Sequence, residues 1–310
     1  MKNYYPEGTL FENGQNKKYM ESVAGLRECF FSERILEARV TMCDRDHNLY
    51  VDLGAVQGVI PRDECAIGIS EGAVRDIAII SRVNKPVSFK IIDFSDDENG
   101  VRTAILSRKQ VQQECVENYI NNLRAGDVIT AKITHNESFG SFCDIGCGIC
   151  ALLPIDSISV SRIPHPDVRF PVNTTIKAVV KSRDTLGRIT LTHKELLGTW
   201  QENADNFRAG QTVGGVVRSI EKYGVFIELT PNLAGLAEYT DSVQVGDMAS
   251  VYIKSINPEK MKIKLSIVDS FPEKYGYEPL RYYCSDNHID VWQYSPECAE
   301  KHIESVFNIL

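Results

Sequence analysis

The chain has no excess of positive charge. Lysine and arginine number 34 against 42 aspartates and glutamates, for a net charge of −8. A general duplex-DNA coater is basic overall, so this balance argues against that class. Long apolar runs are missing as well. None approaches the roughly 20 residues of a membrane span. The opening stretch MKNYYPEGTLFENGQ carries no apolar segment of the secretory kind. Without secretion, the glycosylation patterns at Asn136 and Asn173 carry no meaning. The nine cysteines are odd in number and scattered, which predicts no disulfide framework and a reducing, cytoplasmic setting. A length of 310 residues holds two or three domains.

An acidic chain can still carry a basic groove, because a groove needs only local charge. Residues 161–194 supply Arg162, Arg169, Lys177, Lys181, Arg183, Arg188 and Lys194 against only Asp167 and Asp184.

Internal repeats organise the chain. NNLRAGDVITAKI (121–133) matches DNFRAGQTVGGVV (205–217) at an offset of 84. At the same offset SFGSFCDIGCGICALL lies over KYGVFIELTPNLAGLA, without a gap. Farther on, GRITLTHKE resembles MKIKLSIVD, now ten residues closer, which places an insertion in SVSRIPHPDVRF. A weaker copy lies upstream, where NLYVDLGAVQGVIPRDE parallels the same strand and turn. The expected organisation is an N-terminal extension 1–32 with a short helix, copies at 33–109, 125–195 and 209–270, helical linkers at 110–124 and 196–208, and a C-terminal extension 271–310. Short strands with frequent turns predict a mainly β fold of three small antiparallel barrels or sandwiches, and a closed five-stranded barrel suits so short a copy because it removes sheet edges. The linkers show helical stripes, Val111, Cys115, Tyr119 and Leu123, then Leu197, Trp200, Ala204 and Phe207. In the tail, PECAEKHIESVF predicts a helix started by Pro296, giving a small α+β extension.

Alternation along the strands sorts their faces. Val225, Ile227 and Leu229 read as core, as do Ser141, Cys143 and Ile145, and Leu49, Val51 and Leu53. Phe226 and Glu228, Phe142 and Asp144, and Tyr50 and Asp52 read as outward. Cys143 therefore stands where its relatives have Val or Ile, and a free cysteine serves as a small hydrophobe. Cys147 and Cys150 align with Pro231 and Ala234, so a metal site is not expected. The G-x-G-x-x-A pattern at 146–151 precedes Pro154, not a helix, so a dinucleotide loop is not expected either. The outward aromatics are the notable feature. Phe139 and Phe142 recur as Tyr223 and Phe226, with Gly140 and Gly224 suggesting a bulge that turns both rings to one side. Stacked rings on a barrel face suit single-stranded nucleic acid. Arg188, four residues after Asp184, reads as a cation aimed by a local ion pair.

The motif AG-x-x-V-x-G-x-V, then YG-x-F-I-x-L, G-L-A-E and K-I-x-L-S, resembles the S1 RNA-binding domain, an oligonucleotide-binding (OB) barrel. The three copies in succession resemble the short ribosomal S1 proteins of bacteria. The resemblance is strongest for 209–270 and weakest for 33–109. It implies an RNA face built on Tyr223 and Phe226, on Phe139 and Phe142, and on Tyr50 with His47 in the other aromatic slot. It implies the pair Asp184 and Arg188, with Asn257 and Lys262 as counterparts and Thr103 at the basic slot of the first copy. Lys181 joins this set from the basic stretch. The histidine of the family pattern is replaced by Glu238, Pro154 and Pro61.

The implied protein is not an enzyme and uses no cofactor or metal. It binds single-stranded mRNA at the small ribosomal subunit, contacts ribosomal proteins through its first copy, and is a cytoplasmic monomer without membrane attachment. Two alternatives stay open at this point. One is an RNA-binding regulator of mRNA turnover or transcription off the ribosome. The other is an RNA-processing enzyme or accessory subunit with its chemistry in the tail, where Cys284, Asp286, His288, Asp290 and Cys298 stand. Against it, those residues follow no known ligand spacing, and Arg281, Tyr282, Tyr283, Trp292 and Tyr294 read as a packed appendage or docking surface.

Overall fold

The computed structural model describes residues 4–96, 102–272 and 280–307. By internal contacts the chain divides into two units, residues 1–123 with 144–150, and residues 124–143 with 151–310.

Three closed five-stranded barrels follow one another. The first has β1 (Leu36–Cys43), β2 (Leu49–Asp52), β3 (Gln57–Ile60), β4 (Pro86–Asp96) and β5 (Arg102–Ser107). The second has β6 (Val128–Glu137), β7 (Gly140–Asp144), β8 (Cys150–Pro154), β9 (Thr175–Arg183) and β10 (Ile189–Thr192). The third has β11 (Thr212–Glu221), β12 (Gly224–Thr230), β13 (Leu233–Ala237), β14 (Met248–Asn257) and β15 (Lys262–Phe271). Each barrel runs first, second, third, fifth, fourth strand, then closes. One pair per barrel is parallel, namely third with fifth: Gly58 opposite Ala104, Leu152 opposite Thr190, and Leu236 opposite Lys264. A parallel neighbour cannot follow a tight hairpin, so the chain visits the fourth strand before returning.

The inward sets expected from alternation are in the cores. Leu49, Val51 and Leu53 are buried, as are Cys143 and Ile145, and Val225 and Ile227. Leu229 lies at the margin of its core, because the pairing of β12 with β13 slips after Glu228.

Before the first barrel stand two helices rather than one. α1 (Gly14–Met20) is capped by Asn13 and α2 (Val23–Phe31) by Ser22. Leu26 and Cys29 on α2 seal the barrel core. Inside the connection to β4 lies α3 (Ile77–Ile80). The first linker helix, α4 (Arg108–Asn118), starts on a Ser107 cap and buries Val111 and Cys115. The second linker is broken. A 3-10 turn at Lys194–Leu197 ends on Gly198, whose φ of 84° suits glycine, and α5 (Trp200–Ala204) starts anew on a Thr199–Glu202 capping box.

The tail departs from the expected helix. Residues 296–303 bend, and β17 (Glu304–Val306) pairs antiparallel with β16 (Val291–Gln293). The Tyr294 amide donates to Ile303 O and the Phe307 amide to Asp290 O, each at 2.9 Å. Trp292 and Tyr294 are buried with Trp200 against the third barrel. This pairing and burial outweigh the helical spacing of Ala299, Ile303 and Phe307.

The tail also straps the second barrel to the third. His288 Nδ1 lies 2.7 Å from an Asp127 carboxylate oxygen, and the Ile289 amide donates to Gly126 O at 2.9 Å. Tyr282 Oη lies 3.3 Å from His193 Nε2. Tyr294 Oη donates to Asn232 O at 2.6 Å. The aromatic stretch is thus a packed appendage.

Candidate nucleic-acid interface

The ring pairs of the second and third barrels have one geometry. Phe139 and Phe142 meet edge to face, centroids 6.0 Å apart and planes at 90°; Tyr223 and Phe226 meet at 6.0 Å and 89°. Phe139 and Tyr223 are mostly exposed, at 53% and 68%, while Phe142 and Phe226 are half-buried. Such an arrangement leaves ring faces open for a flat partner.

The glycines hold the pairs in place, and in the third barrel Gly224 does so without being a bulge residue itself. A Cβ on Gly140 would sit 2.5 Å from Leu153 O, and one on Gly224 2.4 Å from Ala237 O. Only glycine lets the next strand approach this closely. The bulge lies on the facing strand, where Arg218 is the extra residue between Val217 and Ser219. Thr41 is its counterpart in the first barrel.

Cross-strand registers assemble the rest of the face. In the third barrel Phe226 pairs with Leu236, Leu236 with Lys264, and Lys264 with Ser255. Residues in one such row point to one side of the sheet. Lys264 and, two residues earlier, Lys262 therefore share the face of Phe226, and both are exposed. Asn257 pairs directly with Lys262. In the second barrel the equivalent hairpin carries Asp184 and Arg188. Arg188 Nε donates to Asp184 Oδ2 at 2.6 Å, and the Leu186 and Arg188 amides also donate to that carboxylate. The bond from Arg188, with these amides, holds the Asp184 carboxyl below its ordinary range. Arg188 itself remains 75% exposed. Lys181 and Lys254 both occupy the bulge of the fourth strand. Lys181 donates to Ser157 Oγ at 3.2 Å, and Lys254 pairs with Glu238 at 2.8 Å.

The first barrel differs. Its row reads Tyr50, Val59, Ile105, Asp93. No cation stands in it, and Thr103 occupies the slot of Arg188, opposite Ser95. Tyr50 is half-buried and donates to Asp44 Oδ2 at 3.2 Å. His47 sits in the β1–β2 turn at a φ of 64°, and no ring contact joins it to Tyr50 among the described residues. The structure does not assemble these two residues into a ring pair like the others.

The S1 RNA-binding domain model matches residues 30–109 and 122–194. Small ribosomal subunit protein bS1 of Staphylococcus aureus is 29% identical over 272 residues, 82% of this chain and 66% of that protein. The bS1 protein of Staphylococcus epidermidis is 28% identical over 268 residues, 80% of this chain and 65% of its own. The chain carries two S1 RNA-binding domains. It spans a little under two thirds of the length of these bS1 relatives. A solved multidomain protein with nucleic acid binding domains from Streptococcus pneumoniae aligns over 76% of this chain and 73% of its own, at 12% identity and a TM-score of 0.24. The matched S1 segments are the first and second copies. The third, which carries the motif most fully, lies outside them but repeats their strand order.

Two acids that alternation reads as outward are buried under other elements. Asp144 is 3% exposed and accepts from the Glu7, Gly146 and Gly148 amides at 2.7–3.0 Å. Burial, with Glu7 nearby, pushes its carboxyl up to about 6. Glu228 is 5% exposed and lies between two guanidinium groups. Arg169 grips it at 2.8 and 3.0 Å, and Arg218 at 2.9 and 3.1 Å. Burial raises that carboxyl, but the two arginines outweigh it and hold it below the usual range. Both acids do point out of their barrels, but other elements pack there. Arg169, from the insertion, is accordingly no part of a basic groove.

Sequence reasoning also missed two residues. Lys264 was legible in the alternation of KIKL. His135 was not, because the repeat places it over Ser219. Its ring lies nearly parallel to Phe142, at 19° and 6.4 Å between centroids. Of the tail residues, His288 is held between Asp127 and Asp290, and Cys298 is exposed. No group of three or more metal-ligating side chains occurs among the described residues.

Proposed function

We propose that this S1-domain protein binds single-stranded RNA, mRNA in particular, through its second and third barrels and assists translation at the small ribosomal subunit. The observation that carries the reading is the recurrence of one edge-to-face ring pair on two barrels, each beside exposed cations. Rings take bases by stacking, and Arg188, Lys262 and Lys264 meet phosphates. The tandem sites gain by effective concentration. The ribosomal part rests on the relatives, which bear the name of a small-subunit protein. The first barrel, with an apolar and acidic row where the third has lysine, suits protein contact better than RNA. The protein acts as a cytoplasmic monomer and catalyses nothing.

Fluorescence anisotropy with a labelled unstructured RNA tests the site. The Phe139→Ala/Phe142→Ala variant is expected to lose at least about fivefold in affinity with an unchanged circular dichroism spectrum. Wild-type affinity in a folded variant overturns the assignment. Co-sedimentation with small ribosomal subunits tests the second half. Absence from the particle at low salt rejects it.

A further inference from the structure

We propose that His135 is a base-contacting residue of the second barrel that favours bases carrying an exocyclic amino group. The inference rests on the RNA-binding reading and deepens it. His135 lies on β6, its side chain is 61% exposed, and its ring runs alongside Phe142. The equivalent positions in the other barrels, opposite Phe226 and Tyr50, hold Ser219 and Met42. Only the second barrel therefore adds a third ring to its platform.

The ring is also oriented. His135 Nε2 lies 2.7 Å from Glu137 Oε1. A carboxylate only accepts, so Nε2 carries the hydrogen. In the neutral imidazole this leaves Nδ1 with a lone pair. A base stacked against Phe142 brings its edge groups past that nitrogen. The amino groups of cytosine, adenine and guanine donate to such a lone pair, whereas uracil has no amino group. Serine or methionine at this place gives neither the ring nor the nitrogen. The third barrel thus grips RNA without this discrimination, and the second adds it.

The test compares labelled oligo(C) and oligo(U) of equal length at pH 7.5, using the full chain. Wild type is expected to bind oligo(C) more tightly. His135→Ala is expected to weaken oligo(C) binding about fivefold or more. His135→Phe restores the ring without the acceptor, so it is expected to bind oligo(U) within about twofold of wild type while losing the preference. Wild-type affinity in His135→Ala, or a preference kept by His135→Phe, overturns the inference. The Phe139→Ala/Phe142→Ala variant is measured alongside. If it too binds like wild type, the RNA-binding reading itself has failed; if it alone is weakened, only the role of His135 has.

Discussion

Phe226 and Lys264 leave the third barrel from a single transverse row, because Leu236 pairs with Phe226 on one edge and with Lys264 on the other. A base stacked on the ring then has its phosphate within the range of a lysine. Lys262→Gln/Lys264→Gln is expected to flatten the slope of log K against log salt by about 1.4, at roughly 0.7 for each phosphate contact on a single strand. Tyr223→Ala/Phe226→Ala is expected to lower affinity at every salt concentration with the slope unchanged. Titrations between about 50 and 200 mM salt separate the two effects, and an unaltered slope in the lysine variant removes both lysines from the contact.

Gly140 is held by the backbone of the adjoining strand, with Leu153 O and Pro154 Cα at 2.5 and 2.9 Å from any added Cβ. Neither atom belongs to a flexible side chain. Gly140→Ala is expected to cost about 1–3 kcal/mol and to weaken RNA binding by displacing Phe139. Gly214→Ala is the control, since nothing lies within 4 Å of its Cβ position. It is expected to leave stability within about 0.5 kcal/mol of wild type by denaturant titration.

The Arg169–Glu228–Arg218 cluster sets an order of severity. Glu228→Gln leaves two buried guanidinium groups without their counter-charge, whereas Arg169→Met leaves Glu228 with Arg218. Breaking a buried ion pair costs about 3–5 kcal/mol, so both variants are expected to be damaged, Glu228→Gln more deeply. Trp200 and Trp292 are the only tryptophans, and both lie against the third barrel. Intrinsic fluorescence during unfolding therefore reports on this unit alone. Equal midpoints for the two variants contradict the ordering.

Burial gives the two units opposite responses to pH. In the first unit Glu37 is buried and its carboxyl is pushed up to about 7. The folded form then binds more protons than the unfolded one, and stability falls as pH rises from about 4.5 to 7. In the second unit burial pushes His193 down to about 4. Here the unfolded form binds more protons, so stability is lost as pH falls from about 6.5 to 4. His288, raised by its bond to Asp127, pulls the other way, but it is only half-buried and worth less. Between pH 7 and 5.5 the first unit is expected to gain on the order of 1–2 kcal/mol while the second loses a similar amount. Hydrogen exchange read separately in each unit measures both signs. Glu37→Gln is expected to remove the larger part of the gain and leave the share of Asp144, whose raised carboxyl lies in the same unit.

The barrels were legible because their signals are local. A period of two follows from the pleat alone, so Val51, Cys143 and Ile227 could be placed inside without any knowledge of neighbours. The paired rings were legible because they recur at a fixed offset. What failed were inferences about the surroundings. Asp144 and Glu228 obey the alternation and point out of their barrels, yet outside is not water where Glu7 or Arg169 packs. The spacing of Ala299, Ile303 and Phe307 fits a helix, but the partner strand that overrides it is set by Trp292 and Tyr294 finding the third barrel. Such choices depend on contacts between segments far apart in the chain.

The strap formed by residues 281–307 sets an order on the protein's own synthesis. Both barrels that it joins precede it in the chain, so each has all five strands before the ribosome has made the residues that fasten them. Domains fold as units as they emerge. Until Trp292 and Tyr294 arrive, the nascent second and third barrels are joined by the α5 linker and by Arg169 on Glu228, and the strap then adds a second fastening.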